Sequence, residues 1–231
     1  VLKVEGVESG YGRMQILWGL DFVAQENEVH LILGANGAGK STLFKALVGL
    51  LPCWSGSVVM GSKDITKIPT RERVRQGLGF TSEVGIFADL SVDDNLRLSS
   101  LLLASSSRKG SIEAAYERFP ELKDRRHAAA GGLSGGQRKL VAIARALVAH
   151  PRVLLMDEPS SGLSPRYVSE VVERLADLRG TTTLVIAEQN VSFLDIADEV
   201  SVIEGGRMRF SGTKGEFGNN AALRDAFFGL E

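Results

Sequence analysis

Short runs of apolar residues recur along the chain, and each stops at glycine or at a polar cluster. Val29-His30-Leu31-Ile32-Leu33 ends at Gly34, and Val153-Leu154-Leu155-Met156 ends in Asp157 and Glu158. Thr183-Leu184-Val185-Ile186-Ala187 ends in Glu188 and Gln189, and Glu199-Val200-Ser201-Val202-Ile203 ends near Gly205-Gly206. Nearly unbroken apolar runs of this length predict strands of a parallel sheet covered on both faces, with helices between them. Leu43, Leu47 and Leu50 supply helical spacing after the first run. Residues 1–23 alternate instead and contain Tyr11-Gly12, which predicts antiparallel strands around a turn. Between 89 and 150 strand signals are missing. Helices are expected over 93–103 and 111–119, joined by a Ser-rich connection at 104–111.

The pattern thus predicts one α/β domain over 1–231. Its core is expected from 1–88 and 145–231, with a helical insertion over about 89–144. A membrane span needs about 20 mostly apolar residues. The longest apolar stretches here, 43–51 and 96–104, run into Pro52 and into Ser105-Ser106-Ser107. A membrane role would have to come through a partner.

Composition changes this picture little. Apolar residues make up 44% and charged ones 24%, which excludes intrinsic disorder. The balance of 27 Lys+Arg against 28 Asp+Glu argues against a nucleic-acid partner, which needs a basic excess or patch. A single cysteine, Cys53, cannot form an internal disulfide, so a reducing compartment is expected. His30, His127 and His150 are too scattered for metal-ligand spacing.

The candidate chemistry begins at the end of the first apolar run. Gly34-Ala35-Asn36-Gly37-Ala38-Gly39-Lys40-Ser41 fits G-x-x-x-x-G-K-[ST], followed by Thr42. Glycines let successive N–H groups point at phosphate oxygens, and the following helix adds its positive end. In such a loop Lys40 reaches the outer phosphates and Ser41 can ligate Mg²⁺. The pattern alone leaves kinases, GTPases and ATPases open. At the second strand end, Asp157 can hold Mg²⁺ and Glu158 can polarise a water. Two adjacent acids favour hydrolysis over phosphoryl transfer. Leu133-Ser134-Gly135-Gly136-Gln137 precedes a helix expected over 138–149 and forms a second anion-binding helix start. One chain has little use for two cradles around one nucleotide, but two chains placed head to tail would use both.

Taken together, 34–42, 133–137 and 154–159 resemble the ATP-binding-cassette (ABC) ATPases, over essentially the whole chain. The resemblance implies a P-loop NTPase core with a mostly parallel sheet, an N-terminal antiparallel β subdomain and a helical insertion. It makes Tyr11 the aromatic that stacks on adenine, and Ser161-Gly162-Leu163-Ser164 the loop that crosses the dimer interface. ATP with Mg²⁺ is the implied ligand. Glu158, Gln189 and Lys40 are the implied catalytic groups, and Ser41, Asp157 and Glu83 the implied metal ligands.

Two departures narrow the subfamily. Glu83 stands where the family usually has Gln, and Gln189 where it usually has His. The runs Glu188-Gln189-Asn190, 116–122, Asp157-Glu158-Pro159-Ser160 and the tail Phe227-Phe228-Gly229-Leu230 resemble the smaller ATPase of branched-chain amino-acid importers. That subunit pairs with a second ABC ATPase and with membrane permeases, serves a solute-binding protein indirectly, and lies peripherally on the cytoplasmic face of the membrane. The alternatives are the ATPase of an ABC exporter and a soluble ABC ATPase not tied to transport. The loop after Glu83 is one residue short for the importer subfamily, and Gln137-Arg138-Lys139-Leu140 is closer to the generic family helix.

Overall fold

The computed structural model describes residues 1–82 and 85–223. The alternating N-terminal stretch forms β1 (Leu2–Tyr11) and β2 (Met14–Ala24), an antiparallel pair closing at Tyr11 and Met14. The chain continues through β3 (Val29–Leu33), α1 (Lys40–Leu47), β4 (Ser55–Met60), β5 (Lys63–Asp64), α2 (Thr70–Arg75) and β6 (Leu78–Thr81). Four helices follow: α3 (Val92–Ser100), α4 (Ser105–Arg118), α5 (Pro120–Lys123) and α6 (Gly135–Val148). The remainder is β7 (Val153–Asp157), α7 (Pro165–Ala176), β8 (Thr183–Glu188), β9 (Glu199–Glu204), β10 (Arg207–Thr213) and α8 (Lys214–Asn219).

Two sheets result. One is antiparallel, in the order β2-β1-β4-β5. The other runs β10-β9-β3-β8-β7-β6 and is parallel except at its β10 edge. Its central strands are apolar throughout because successive side chains enter two different cores. Leu31, Leu154, Met156, Leu184 and Ile186 face α6 and α7, whereas Ile32, Val153, Leu155 and Val185 face α1 and the antiparallel sheet. The strands β4, β5 and β10 have no signal in the apolar pattern comparable to the central runs. They are short or half-exposed, and pairing defines them: β4 with β1, β5 with β4 and β10 with β9.

The Ser-rich stretch corrects an expectation. Residues 104–111 are not a connection, because Ser105–Ser111 form the first half of α4. Serine is an indifferent helix former and tertiary contacts override it. Here the buried Ser111 Oγ donates to Val148 O at 2.7 Å and meets His150 Nε2 at 2.5 Å, fastening α4 to the end of α6. Two other bounds move: α3 stops at Ser100, and α6 begins at Gly135, so the expected junction at 144–145 falls inside it.

His30 is buried between the two sheets, with Nε2 2.8 Å from Ser201 Oγ and its ring 5.0 Å from that of Phe22. Burial pushes its imidazole down to about 4, partly opposed by the Val23 backbone. A histidine whose pKa falls on folding leaves the unfolded state binding the extra proton between that value and about 6.5. Its contribution is complete above pH 6.5 and is lost as pH falls toward 4. Urea unfolding is expected to show about 2 kcal/mol less stability at pH 5 than at pH 7 from this group. His30→Gln should flatten that part of the profile.

Candidate active site

The turn between β3 and α1 is the phosphate loop. It is tethered at its start, where Gly34 N donates to Glu188 O at 3.2 Å. Gly39 caps α1 at φ 111°, a backbone setting that other residues rarely adopt. That turn aims the first N–H groups of α1, which have no intrahelical partner, into the loop's hollow. The buried Lys40 ammonium donates to Gly34 O at 2.7 Å and Ala35 O at 3.1 Å, and lies 3.2 Å from Glu158 Oε1. Ser41 Oγ donates to Asp157 Oδ1 at 3.0 Å. Residues 116 positions apart in sequence therefore meet because β3 and β7 both flank β8 with their C-terminal ends aligned.

Burial pushes the Asp157 carboxyl above its ordinary range, the Ser41 hydroxyl pulling it back and the neighbouring Glu158 adding to the rise. A hydroxyl beside a carboxylate is an oxygen-only donor pair that suits Mg²⁺, which takes few protein ligands and completes its shell with phosphate and water. Ser41 and Asp157 would hold the ion, which would neutralise phosphate charge there. Among the described residues no group of three or more His, Cys, Asp or Glu could hold a metal. Glu83, the third expected ligand, lies outside the described residues, as does the tail motif at 227–230.

Glu158 adopts a left-handed backbone at φ 48°, a conformation costing about 1–3 kcal/mol in a residue with a side chain. Three bonds hold it: Glu158 N donates to Ala187 O at 2.9 Å, and its own carbonyl accepts from Ser161 N at 3.1 Å and Lys139 Nζ at 3.0 Å. The turn sets its carboxylate at the mouth of the phosphate loop. Asn36, Glu158, Ser160 and Gln189 line one cavity of about 380 Å³, room for a terminal phosphate and a water. Gln189 is exposed at that rim. The arrangement can position a terminal phosphate, neutralise it with Lys40 and orient a water with Glu158.

Tyr11 stands exposed at the end of β1, beside α1, and Lys45 Nζ donates to its hydroxyl at 3.3 Å. Its open ring can take a base edge-on or face-on. The second cradle is apart from the first. Ser134 and Gln137 bond each other reciprocally, at 3.3 Å and 3.2 Å, in a capping box that starts α6. Their capping bonds go to each other rather than to the phosphate loop. Gly136 has a steric role there, since a Cβ would come within 2.3 Å of the Tyr167 ring. The sequence pattern assigns no site role to Tyr167, Lys139 or the inward Glu188. Only Glu188 carried a signal, as an acid at the end of an apolar strand.

A glycine-rich loop between a parallel strand and a helix, with Asp-Glu at the tip of a neighbouring strand, defines a P-loop nucleoside triphosphatase. Residues 17–161 match the family model of the ABC transporter, and the chain belongs to that family as one of its ATPases. It is 35% identical over 220 residues to "Probable branched-chain amino acid transport ATP-binding protein LivF" of Archaeoglobus fulgidus, covering 94% of this chain and 93% of that one. It is 30% identical to "Lipopolysaccharide export system ATP-binding protein LptB" of Haemophilus influenzae, covering 99% and 97%. Among solved structures, the ADP conformation of an ATP-binding cassette of an ABC transporter superposes with a TM-score of 0.86 at 26% identity, covering 100% and 99%.

Proposed function

We propose that the chain is the ATP-hydrolysing subunit of an ABC importer for branched-chain amino acids or related amides. Two cassettes, identical or homologous, would close head to tail on Mg-ATP, the Ser134–Gln137 cradle of one capping the nucleotide on the phosphate loop of the other. The observation that supports the dimer is this second helix start, which begins at the exposed Ser134 and whose capping box leaves the N–H of the half-buried Gly135 without an intrahelical partner. Lys40 and the α1 N-terminus bind the phosphates, Glu158 orients the water, and Gln189 donates its amide to the outer phosphate. Membrane permeases would follow the opening and closing, and a solute-binding protein would deliver the cargo. No helix among the described residues is long and apolar enough to cross a membrane, which fits a peripheral subunit on the cytoplasmic face.

The LivF likeness favours import and the slightly lower likeness to LptB supports an exporter motor as the second reading. Reconstitution in proteoliposomes separates them. Co-assembly with branched-chain importer permeases, and ATPase stimulation by leucine-loaded binding protein, is the expected outcome. Assembly with lipopolysaccharide-exporter membrane subunits instead, without response to the binding protein, would replace the importer reading.

A further inference from the structure

We propose that Glu188 is a positioning residue for hydrolysis, its carboxylate locking the loop after Glu158 to the loop that carries Gln189. The proposal rests on the reading above, in which those two loops face the outer phosphate.

Glu188 is the last residue of β8 and is 2% exposed. Its Oε1 accepts from Ser160 N at 2.7 Å, and its Oε2 accepts from Gln189 N at 3.1 Å and Asn190 N at 3.3 Å. One carboxylate thus gathers three backbone donors from both sides of the cavity. The same strand end makes two more ties: Glu188 O accepts from Gly34 N, and Ala187 O accepts from Glu158 N. The phosphate loop, the Glu158 turn and the Gln189 loop all hang on two consecutive residues. Burying a carboxylate is costly unless it is hydrogen-bonded, and this one is met on both oxygens.

No neutral side chain performs this task. An ionised carboxylate accepts on both oxygens, whereas an amide offers one acceptor and turns an NH₂ toward the other donors. Glutamine at 188 could keep the Ser160 tie or the Gln189–Asn190 ties, but not both. The tie also has a chemical reason. Gln189 does not titrate, so its contribution depends on where its amide is held, and a misplacement of about 1 Å can cost roughly 100-fold in rate.

The test uses the full chain with Mg-ATP, measuring kcat, KM, nucleotide Kd and amide hydrogen exchange. Glu188→Gln is expected to lower kcat roughly 10- to 100-fold while KM and Kd stay within about twofold, a transition-state loss without a ground-state one. The amides of Ser160 and Gln189 should exchange faster in the variant. Where Glu188→Gln does not fold, Glu188→Asp serves, since its shorter arm keeps the charge but spans only one of the two loops. A variant that folds, with wild-type kcat or with kcat and Kd impaired equally, would overturn the proposal. Glu158→Gln assayed alongside separates the two levels. If it hydrolyses like wild type, the reading of the site fails and Glu188 falls with it. If it is inactive while Glu188→Gln turns over normally, the positioning role alone fails.

Discussion

Lys40→Ala is expected to abolish measurable ATP hydrolysis and to weaken nucleotide binding by several kcal/mol. The ammonium is buried, and its three partners are Gly34 O, Ala35 O and Glu158 Oε1. It is therefore held inside the loop, beside the Glu158 carboxylate. Charge-assisted bonds in so dry a setting are about twice as strong as neutral ones. Losing one donor aimed at developing charge costs roughly 10²–10³-fold in rate, and losing a full positive charge should cost at least that. The variant also leaves two loop carbonyls short of a donor, a structural penalty of about 1–3 kcal/mol. Stability and nucleotide Kd must therefore be measured together. Unchanged Kd and turnover in a folded Lys40→Ala protein would sink the phosphate-loop reading.

Glu158→Gln separates binding from hydrolysis. The amide has the shape of the carboxylate and keeps the same left-handed turn, held by Ala187 O, Ser161 N and Lys139. It cannot take a proton from water. Turnover is expected to fall roughly 10²–10⁴-fold, the usual worth of a general base, with nucleotide binding retained. Mg-ATP should then trap a dimer, visible by size-exclusion chromatography with light scattering. Adding Ser134→Arg should prevent the trapping, because the larger side chain fills the cradle meant for the other chain's phosphate. Monomer alone over a wide concentration range, with and without a second ABC ATPase subunit, would count against the head-to-tail arrangement.

The amino-acid sequence determined most of what lies along one stretch of chain. The strand–loop–helix unit at 29–47 is legible because an apolar run, a glycine-rich turn and 3.6-residue spacing follow one another directly, although Leu50, the last residue of that spacing, lies beyond the end of α1 and is exposed. The acids after β7 and the Ser-Gly-Gly before α6 are legible for the same reason: each is a local motif at an element's end. The antiparallel start was read from its alternation, and β1 and β2 form where it predicts.

What the tertiary structure decided depends on residues far apart in sequence. Ser105–Ser111 became helix through a hydroxyl reaching Val148, which no local propensity announces. The strands β4 and β10 exist because edges of β1 and β9 were open to them. Ser41 meets Asp157, and Lys40 meets Glu158, only once β3 and β7 lie on either side of β8. Glu188 shows the difference most plainly. In the sequence it stands only as a polar residue closing an apolar run, yet the fold turns it inward onto three backbone donors. A pattern of polar and apolar positions records how often a residue type is buried. It does not record which distant N–H groups the fold will bring to meet it, and those donors are what make burial of that charge affordable.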